Sequence, residues 1–336
     1  MSSGSGGSPR DSMRAGSGVA VVIVNYDGER LLPDCLAALA AQTLAPEQIV
    51  VADNGSRDGS LALLRAQHPA VRALELGRNH GFAGGANRGV RATSAPWVCV
   101  LNSDATPAPD WLAQLTAAPR DARTWALGSV LVSACTGLIE SAGDEYAAAG
   151  YAYKLLRERP LEELPAEPYR AFAAPGAAPV FRRQVFDLLG GYEERFFMYY
   201  EDVDLAFRAA LAGYHALLVP SARVTHRLGA TTRSMARLRF YVARNSMWCA
   251  VRCMPEASPR RLVRRWLAEL RVNRPRRCAP AELAGRLAGL VGLPRALRER
   301  RGIQARRVAP DEEIAALLRL SAPLSPRRPP ARSAGT

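Results

Sequence analysis

The sequence predicts an α/β protein built on a doubly wound, mostly parallel sheet. Three observations predict it: short apolar runs rich in β-branched residues, segments of helical period between them, and a polar cluster closing each run. Val19 to Val24 (VAVVIV) is apolar without alternation, as expected of a strand covered on both faces. Asn25-Tyr26-Asp27-Gly28 breaks it, and Leu31, Leu32, Cys35, Leu36 and Leu39 follow at helical spacing. Gln48 to Ala52 is a second strand, ending in Asp53-Asn54-Gly55-Ser56, and Ser60 to Gln67 the next helix. Val71 to Leu76 is a third strand and Gly81 to Ala92 a glycine-rich helix start. Trp97 to Leu101 is a fourth strand, closed by Asn102-Ser103-Asp104. Right-handed crossovers join such strands, and ligands sit outside the carboxyl ends of such a sheet. The polar clusters occupy those ends.

From Ala105 to Arg170 the pattern is looser, with a strand expected around Val130-Leu131-Val132. Ala178 to Phe181 reads as another strand, followed by a helix through Phe186 and Leu189 that Gly190-Gly191 ends. Glu201 to Ala212 is an amphipathic helix; Tyr214 to Val219 and Val224 to His226 read as strands. Beyond Ala230 the composition shifts to arginine-rich amphipathic helices. The expected division is a disordered tail at 1–17, the α/β domain at 18–232, a helical extension at 233–320 and a disordered tail at 321–336.

With 48% hydrophobic residues the chain can bury a sizeable core. The formal net charge of +14 is carried almost wholly by arginine, Lys154 being the one lysine. That charge favours an anionic partner: a diphosphate, an acidic membrane surface or nucleic acid. Six cysteines form no C-x-x-C pair and read as reduced and cytosolic. The Ser/Gly-rich start reads as a flexible tail rather than a signal peptide, and no apolar run is long enough to predict a transmembrane helix.

Several residues could carry chemistry. Asp53 could accept from the imide N–H of uracil or thymine or from a ribose hydroxyl; taken alone, a plain Asp-Asn-Gly turn is the commoner reason for these residues. Residues 78–89, which include Arg78, Asn79 and Asn87, offer glycines for close backbone approach and helical N–H groups for an anion, or simply a tight strand-to-helix turn. They match neither G-x-G-x-x-G nor a Walker loop. Asp104, at a strand's carboxyl end, suits a hard divalent cation, with helix capping as the alternative. Glu201, Asp202 and Asp204 crowd a helix start behind Phe196-Phe197-Met198-Tyr199-Tyr200. Acids are ordinary there, but partial desolvation by the aromatics would raise a carboxylate towards a useful base. His226 stands alone, as structural histidines usually do.

In order, VNYDGE, VVADNGSRDGS, GRNHGFAGGANRG, VLNSDATP, FRRQVFDLLGGYEERFFMYYEDVDLAFRAALAGY and VTHRLGAT resemble the family 2 glycosyltransferases. Within them the likeness is to the bacterial rhamnosyltransferase and galactofuranosyltransferase-like branch, over about Val19 to Thr232. The resemblance implies a GT-A fold and an inverting sugar transfer from a nucleotide-diphosphate donor, first dTDP-rhamnose and next a UDP-sugar. The acceptor would be a hydroxyl of a cell-surface glycan or lipid-linked molecule. By position it implies that Asn25, Asp53 and Asn87 line the base and ribose, with Arg78 and Asn79 in reach of ribose or diphosphate. Ser103 and Asp104 fall in the DxD-like element, where Asp104 would ligate Mg²⁺ or Mn²⁺ with His226 as a further ligand. Asp202 matches the catalytic base, with Glu201 orienting the acceptor; Arg244-Asn245 also resembles a family feature. This DxD-like element is Asn102-Ser103-Asp104, with one carboxylate, as in the rhamnosyltransferase-like branch; one acid, one histidine and phosphate oxygens could hold the ion, and a metal-weak or metal-optional enzyme is the alternative.

Two other classes fit parts of the sequence. A basic nucleic-acid-binding protein fits the charge but no recognition motif; a nucleotidyltransferase fits the sheet but lacks the basic glycine-rich loop after strand one. Nucleic acid is therefore not an expected partner. The segments Arg237 to Val251 and Arg260 to Val272 read either as basic helices resting on anionic lipid at the inner face of the cell membrane, or as a packed extension with a solvated arginine face.

Overall fold

The computed structural model describes residues 17–147, 150–227, 229, 234–254 and 279–320; the terminal tails and Arg260 to Val272 lie outside them. The first half follows the expected alternation: β1 (Val19–Asn25), α1 (Leu32–Ala40), β2 (Gln48–Asp53), α2 (Ser60–Gln67), β3 (Arg72–Glu75), α3 (Gly81–Arg91) and β4 (Trp97–Asn102). β1 pairs in parallel with β2 and β4, and β2 with β3, giving the order β3-β2-β1-β4. The chain reverses direction across the sheet between β1 and β4, which is the switch point where such folds open a crevice. Alternate β1 residues feed two cores. Ala20 and Val22 pack with Ala83, Ala86 and Val90, while Val21 and Ile23 pack with Leu32, Leu36 and Leu39. A strand buried on both faces has no polar positions to alternate, hence the unbroken VAVVIV run.

After β4 the order is β5 (Ala105–Pro107), α4 (Trp111–Ala117), β6 (Thr124–Ser133), β7 (Ile139–Ser141), β8 (Asp144–Ala147) and β9 (Tyr151–Lys154). Then come β10 (Tyr169–Ala171), β11 (Val180–Arg182), α5 (Arg183–Leu188), α6 (Glu201–Leu211) and β12 (His215–His226). β11 lies antiparallel between β4 and β6, and β12 runs parallel to β6. The sheet order is β10-β12-β6-β11-β4-β1-β2-β3, parallel from β4 to β3 and between β12 and β6, with antiparallel β11 between those two parts. The two strands expected at 214–219 and 224–226 are one, β12. Its register against β6 shifts between Val219 and Arg223, around Pro220, which has no N–H to offer the ladder. β8 and β9 form a separate hairpin.

Four helices follow among the described residues: α7 (Met235–Cys253), α8 (Ala279–Val291), α9 (Leu293–Ala305) and α10 (Asp311–Leu320). Met247, Cys249, Ala250, Val251 and Cys253 of α7 are buried in the same cluster as Leu205 and Phe207 of α6. No helix among the described residues is long and apolar enough to cross a membrane. The glycines of α3 serve packing: a Cβ at Gly89 would stand 2.2 Å from Val22 Cγ1, and one at Gly85 3.0 Å from Val24 Cγ1. Side chains there would push α3 off β1.

Candidate active site

Asn25, Asp53, Ser103 and Asp104 lie at or just beyond the carboxyl ends of β1, β2 and β4, all of them buried. Asn25 pairs with Asp53 across the β1–β2 ladder. Its Nδ2 donates to Asp53 Oδ2 at 2.9 Å and to Ser56 Oγ at 3.1 Å. Asp53 also accepts from the Gly55 and Ser56 N–H groups, at 3.1 and 2.9 Å, and from the Ser56 hydroxyl at 2.6 Å. Each of the roughly four acceptor positions of its carboxylate has a partner, so a ligand donor must share or displace one. Asn54 ties this turn to α3, donating to Gly81 O at 3.0 Å and accepting from His80 N–H at 3.2 Å. Gly55 has φ +78°, and a Cβ there would meet Arg78 Cα at 2.8 Å. Both the left-handed backbone and the close approach require glycine. Arg78 and Asn79 are exposed at this rim, and Asn79 Oδ1 accepts from Gly81 N–H at 2.8 Å.

Two buried acceptors at the switch point lack a partner: Asn25 Oδ1 and Asn102 Oδ1. Asn102 pairs with Val24 on β1. A Cβ at Gly28 would lie 2.2 Å from Asn25 Oδ1 and 3.6 Å from Ser103 Oγ, so these groups share one cradle. A buried acceptor left unmatched costs about 1–3 kcal/mol, and a base or ribose brings N–H and O–H donors.

Asn87 does not join these groups. Its Nδ2 donates to Tyr192 O at 2.8 Å and Glu194 Oε1 at 3.2 Å, and its Oδ1 accepts from Tyr192 N–H at 2.9 Å. It borders a cavity of about 910 Å³, shared with Arg208 and Arg252. The reason is helical phase. Gly85 and Gly89 face β1, and two residues along a helix is about 200° of turn, so Asn87 points away from the sheet. The structure therefore corrects the expectation that Asn87 lines the base and ribose.

Asp104 and His226 meet because β5 and β12 pair with Ala105 opposite His226. His226 Nε2 is 3.1 Å from Asp104 Oδ1, and Nδ1 is 2.8 Å from Glu140 Oε2; all three residues are buried. Burial opposes a charged imidazole, but hydrogen bonds to Asp104 and Glu140 outweigh it and lift His226 to about 9. Burial likewise pushes Glu140 up, and bonding to His226 and Lys154 more than offsets it, leaving Glu140 below its usual range. Glu140 Oε1 is 2.5 Å from Lys154 Nζ. Sequence reasoning missed Glu140, which sits on a three-residue strand without a motif. A carboxylate oxygen and an imidazole nitrogen suit Mn²⁺ or Mg²⁺. Glu140 on Nδ1 would be the outer partner that orients Nε2 for an ion held with Asp104. The residues present thus fit a divalent cation that takes its remaining ligands from substrate and water. Asp204, Cys249 and Cys253 also lie close together, but Asp204 is already paired with Arg208 and Arg252, whose charges repel a cation. The nearby Cys35 thiol is pushed up to about 12, first by burial and then by Asp104.

The loop entering α6 is strained. Phe197, Tyr199 and Tyr200 have φ of 64°, 66° and 71°. Such non-glycine residues each cost about 1–3 kcal/mol and persist where surroundings hold them. Asn245 of α7 does so: its Nδ2 lies 3.0, 2.9 and 2.7 Å from the carbonyls of Phe196, Met198 and Tyr199. Arg244 adds bonds to the carbonyls of Arg195 and Phe196, at 2.9 and 3.0 Å. The loop delivers Glu201 and Asp202. Glu201 is buried with Oε2 unpartnered, and burial, then Asp202, pushes it well above the usual carboxylate range. Asp202 is half-buried and also raised by burial; its Oδ1 accepts from Val203 N–H at 2.8 Å. A Cβ at Gly176 would stand 2.4 Å from Asp202 Oδ2. Asp144 is raised to about 7, by burial and then by Asp202. Asp204 is fully buried against Arg208 at 2.8 Å and Arg252 at 3.3 Å, so the third acid of EDVD anchors the helix. The two halves of the site connect: Asp104, His226, Glu140 and Lys154 form a continuous polar chain, and the charge of Lys154 acts on Asp202.

The model of glycosyl transferase family 2 matches residues 20–188, half of the chain. The chain belongs to this family. This glycosyltransferase is 34% identical, over 235 residues, to the N-acetylglucosaminyl-diphospho-decaprenol L-rhamnosyltransferase of Mycobacterium tuberculosis, covering 61% of the chain and 75% of that enzyme. It is 27% identical over 234 residues to the O-antigen biosynthesis protein RfbC of Myxococcus xanthus, covering 65% of the chain but 18% of that protein. Among solved structures it resembles GalNAc-T7 with UDP, GalNAc and Mn²⁺, with TM-score 0.56 at 19% identity, over 71% of this chain and 48% of that one. It also resembles S. aureus TarS (1–349), with TM-score 0.53 at 12% identity, over 90% of each chain. The fold of this glycosyltransferase is accordingly GT-A.

Proposed function

We propose that this glycosyltransferase moves rhamnose from dTDP-rhamnose to a hydroxyl of a lipid-linked glycan, with inversion. The sugar and acceptor class are supported by the 34% identity to the decaprenol-linked rhamnosyltransferase. The observation that carries the mechanism is the polar chain joining Asp104 and His226 to the hairpin beside Asp202. Asn25 and Asn102 would receive the donors of base and ribose. Asp53 fixes Asn25, Ser103 closes the cradle, and Arg78 and Asn79 at the rim would meet the ribose or diphosphate. Asp104 and His226 would hold Mn²⁺ or Mg²⁺, a Lewis acid that offsets charge on a leaving diphosphate. Across the sugar, Asp202 removes the acceptor's hydroxyl proton as the new glycosidic bond forms and the bond to phosphate breaks. Glu201, kept neutral by burial, donates a hydrogen bond that orients the acceptor.

The test is a donor screen with Mn²⁺ or Mg²⁺, a polyprenyl-diphosphate-linked N-acetylglucosamine acceptor, and released nucleoside diphosphate as readout. Turnover with dTDP-rhamnose is expected; turnover with a UDP-sugar alone would overturn the assignment of the sugar. Asp202→Asn should bind donor and lose turnover about 10²-fold or more; normal turnover removes Asp202 from its role. We further place the enzyme peripherally on the cytoplasmic face of the membrane. Support comes from the exposed Leu283, Leu287 and Val291, spaced four apart on α8 in an arginine-rich region. Co-sedimentation with anionic vesicles that weakens with salt is expected; no sedimentation at any salt concentration refutes it.

A further inference from the structure

The cavity that Asn87 borders lies between the α/β domain and α9, on the side of α3 turned away from β1. At about 910 Å³ it is in the range of small-molecule sites. Leu188, Ile303 and Val308 give it apolar walls, and Leu188 and Val308 are 63% and 77% exposed. Gly302, inside α9, belongs to the same lining; a Cβ there would meet nothing within 4 Å, and its φ is not positive. Neither packing nor backbone geometry asks for this glycine, which costs a helix interior about 1 kcal/mol relative to alanine. Its effect is to leave the wall open.

The charges around the cavity do not cancel. Glu194 meets Arg88 at 3.0 Å and Arg91 at 3.8 Å; Glu193 meets Arg195 at 3.0 Å and Arg252 at 3.4 Å. Asp204 meets Arg208 at 2.8 Å and Arg252 at 3.3 Å. Glu299 is held by Arg195 and, at 3.0 Å, by Arg295, with Arg252 at 3.5 Å. Each acid thus has an arginine nearer than Arg91 or Arg252. Arg252 is 6% exposed, and its Nε and Nη1 have no hydrogen-bond partner. A buried charged donor left so is costly. Arg306, exposed at the end of α9, makes no ion pair among the described residues. Arg91, Arg252 and Arg306 are therefore a surplus of positive charge on one cavity.

We propose that this cavity binds an organic phosphate: Arg91 and Arg306 at the mouth and Arg252 on the floor hold the phosphoryl oxygens, while Leu188, Ile303 and Val308 cover the apolar part of the ligand. The site is separate from Asn25, Asp53 and Asp104, and nothing in it depends on the roles proposed for them. Guanidinium forks match phosphate oxygens two at a time. Arginine has donors alone, so what Arg252 lacks is an acceptor.

The probe is naphthyl phosphate, titrated into the folded enzyme in the presence of chelator and followed by its ring fluorescence. Saturable binding is expected, weakened by salt and displaced by inorganic phosphate. Arg306→Glu should weaken it about tenfold or more, the worth of a hydrogen bond to a charged group. Gly302→Trp fills the open space with an indole and should abolish binding. Both residues are exposed, and α9 gains helix propensity when it loses a glycine, so the fold is kept and melting temperature checks it. Asp104→Ala should leave the affinity for the probe unchanged. Competition tells the source of the phosphate: displacement by a soluble sugar phosphate assigns a metabolite, and displacement by phosphatidic acid vesicles alone assigns a lipid headgroup. No saturable binding, or binding that survives both Arg306→Glu and Gly302→Trp, overturns the proposal. Binding lost in Asp104→Ala puts the probe at the strand ends instead and overturns it as well.

Discussion

Gly176→Ala probes the base without touching it. The backbone at Gly176 lies outside the left-handed region, so alanine meets no conformational penalty. Its methyl would stand 2.4 Å from Asp202 Oδ2 and 3.3 Å from Cγ, where ordinary contact begins at 3.4 Å. The carboxylate must then retreat by about 1 Å, and a misplacement of that size costs on the order of 10²-fold in rate. The expected result is kcat down by about 10²-fold at saturating donor and acceptor, with nucleoside diphosphate affinity by calorimetry unchanged. Melting temperature should move little, since half-buried Asp202 has room to swing towards solvent. In an Asp202→Asn background the same alanine should cost almost nothing further, because the two changes disable one group. A kcat within about threefold of the parent enzyme would refute the placement of Asp202 at the reacting hydroxyl. A loss shared equally by donor binding would point to general damage.

Three more outcomes follow from other contacts. Asn245→Leu, nearly the same size, removes the amide donor from the carbonyls of Met198 and Tyr199 and leaves that of Phe196 to Arg244; kcat should fall at least about tenfold and stability by about 1–3 kcal/mol, measured by denaturant unfolding, with donor affinity kept. Asp104→Ala should weaken donor and Mn²⁺ binding together in calorimetry, and chelator-insensitive activity in the parent enzyme would contradict the cation assignment. In metal-free protein, His226 is lifted from 6.5 to about 9, so its stabilisation is complete below pH 6.5 and lost as pH rises through about 9. Melting curves should show a decline on the order of 3 kcal/mol between pH 7 and 10, absent in His226→Gln.

Much of the proposed donor half could be placed from the sequence because it sits on regular elements. VAVVIV had to be a two-faced strand, and strands of that kind present Asn25, Asp53 and Asp104 at one edge of the sheet. Asn87 misled because a motif string carries no helical phase; Gly85 and Gly89 decide which way α3 faces. Glu140 and Lys154 were invisible as site residues because their positions depend on a three-residue strand and a detached hairpin. Periodicity cannot detect elements so short. The loop at Phe197 to Tyr200 shows another limit: nothing in an aromatic run announces left-handed backbone, which non-glycine residues adopt only when tertiary contacts compel it.

That last point ties the helical extension to catalysis. A loop carrying three left-handed side-chain-bearing residues stores several kcal/mol by the usual magnitudes, and it would relax if left alone. Relaxation would swing Glu201 and Asp202, since both follow the loop directly into α6. The restraint comes from the other side of the chain: Asn245 and Arg244 on α7 bind the carbonyls of residues 195, 196, 198 and 199, and Ala83 on α3 donates to Phe197 O at 3.2 Å. Asn25 and Asp53 are held instead by the β1–β2 ladder. The proposed donor half should tolerate changes in α7 better than the proposed acceptor half. Substitutions along α7 should therefore separate donor binding from transfer.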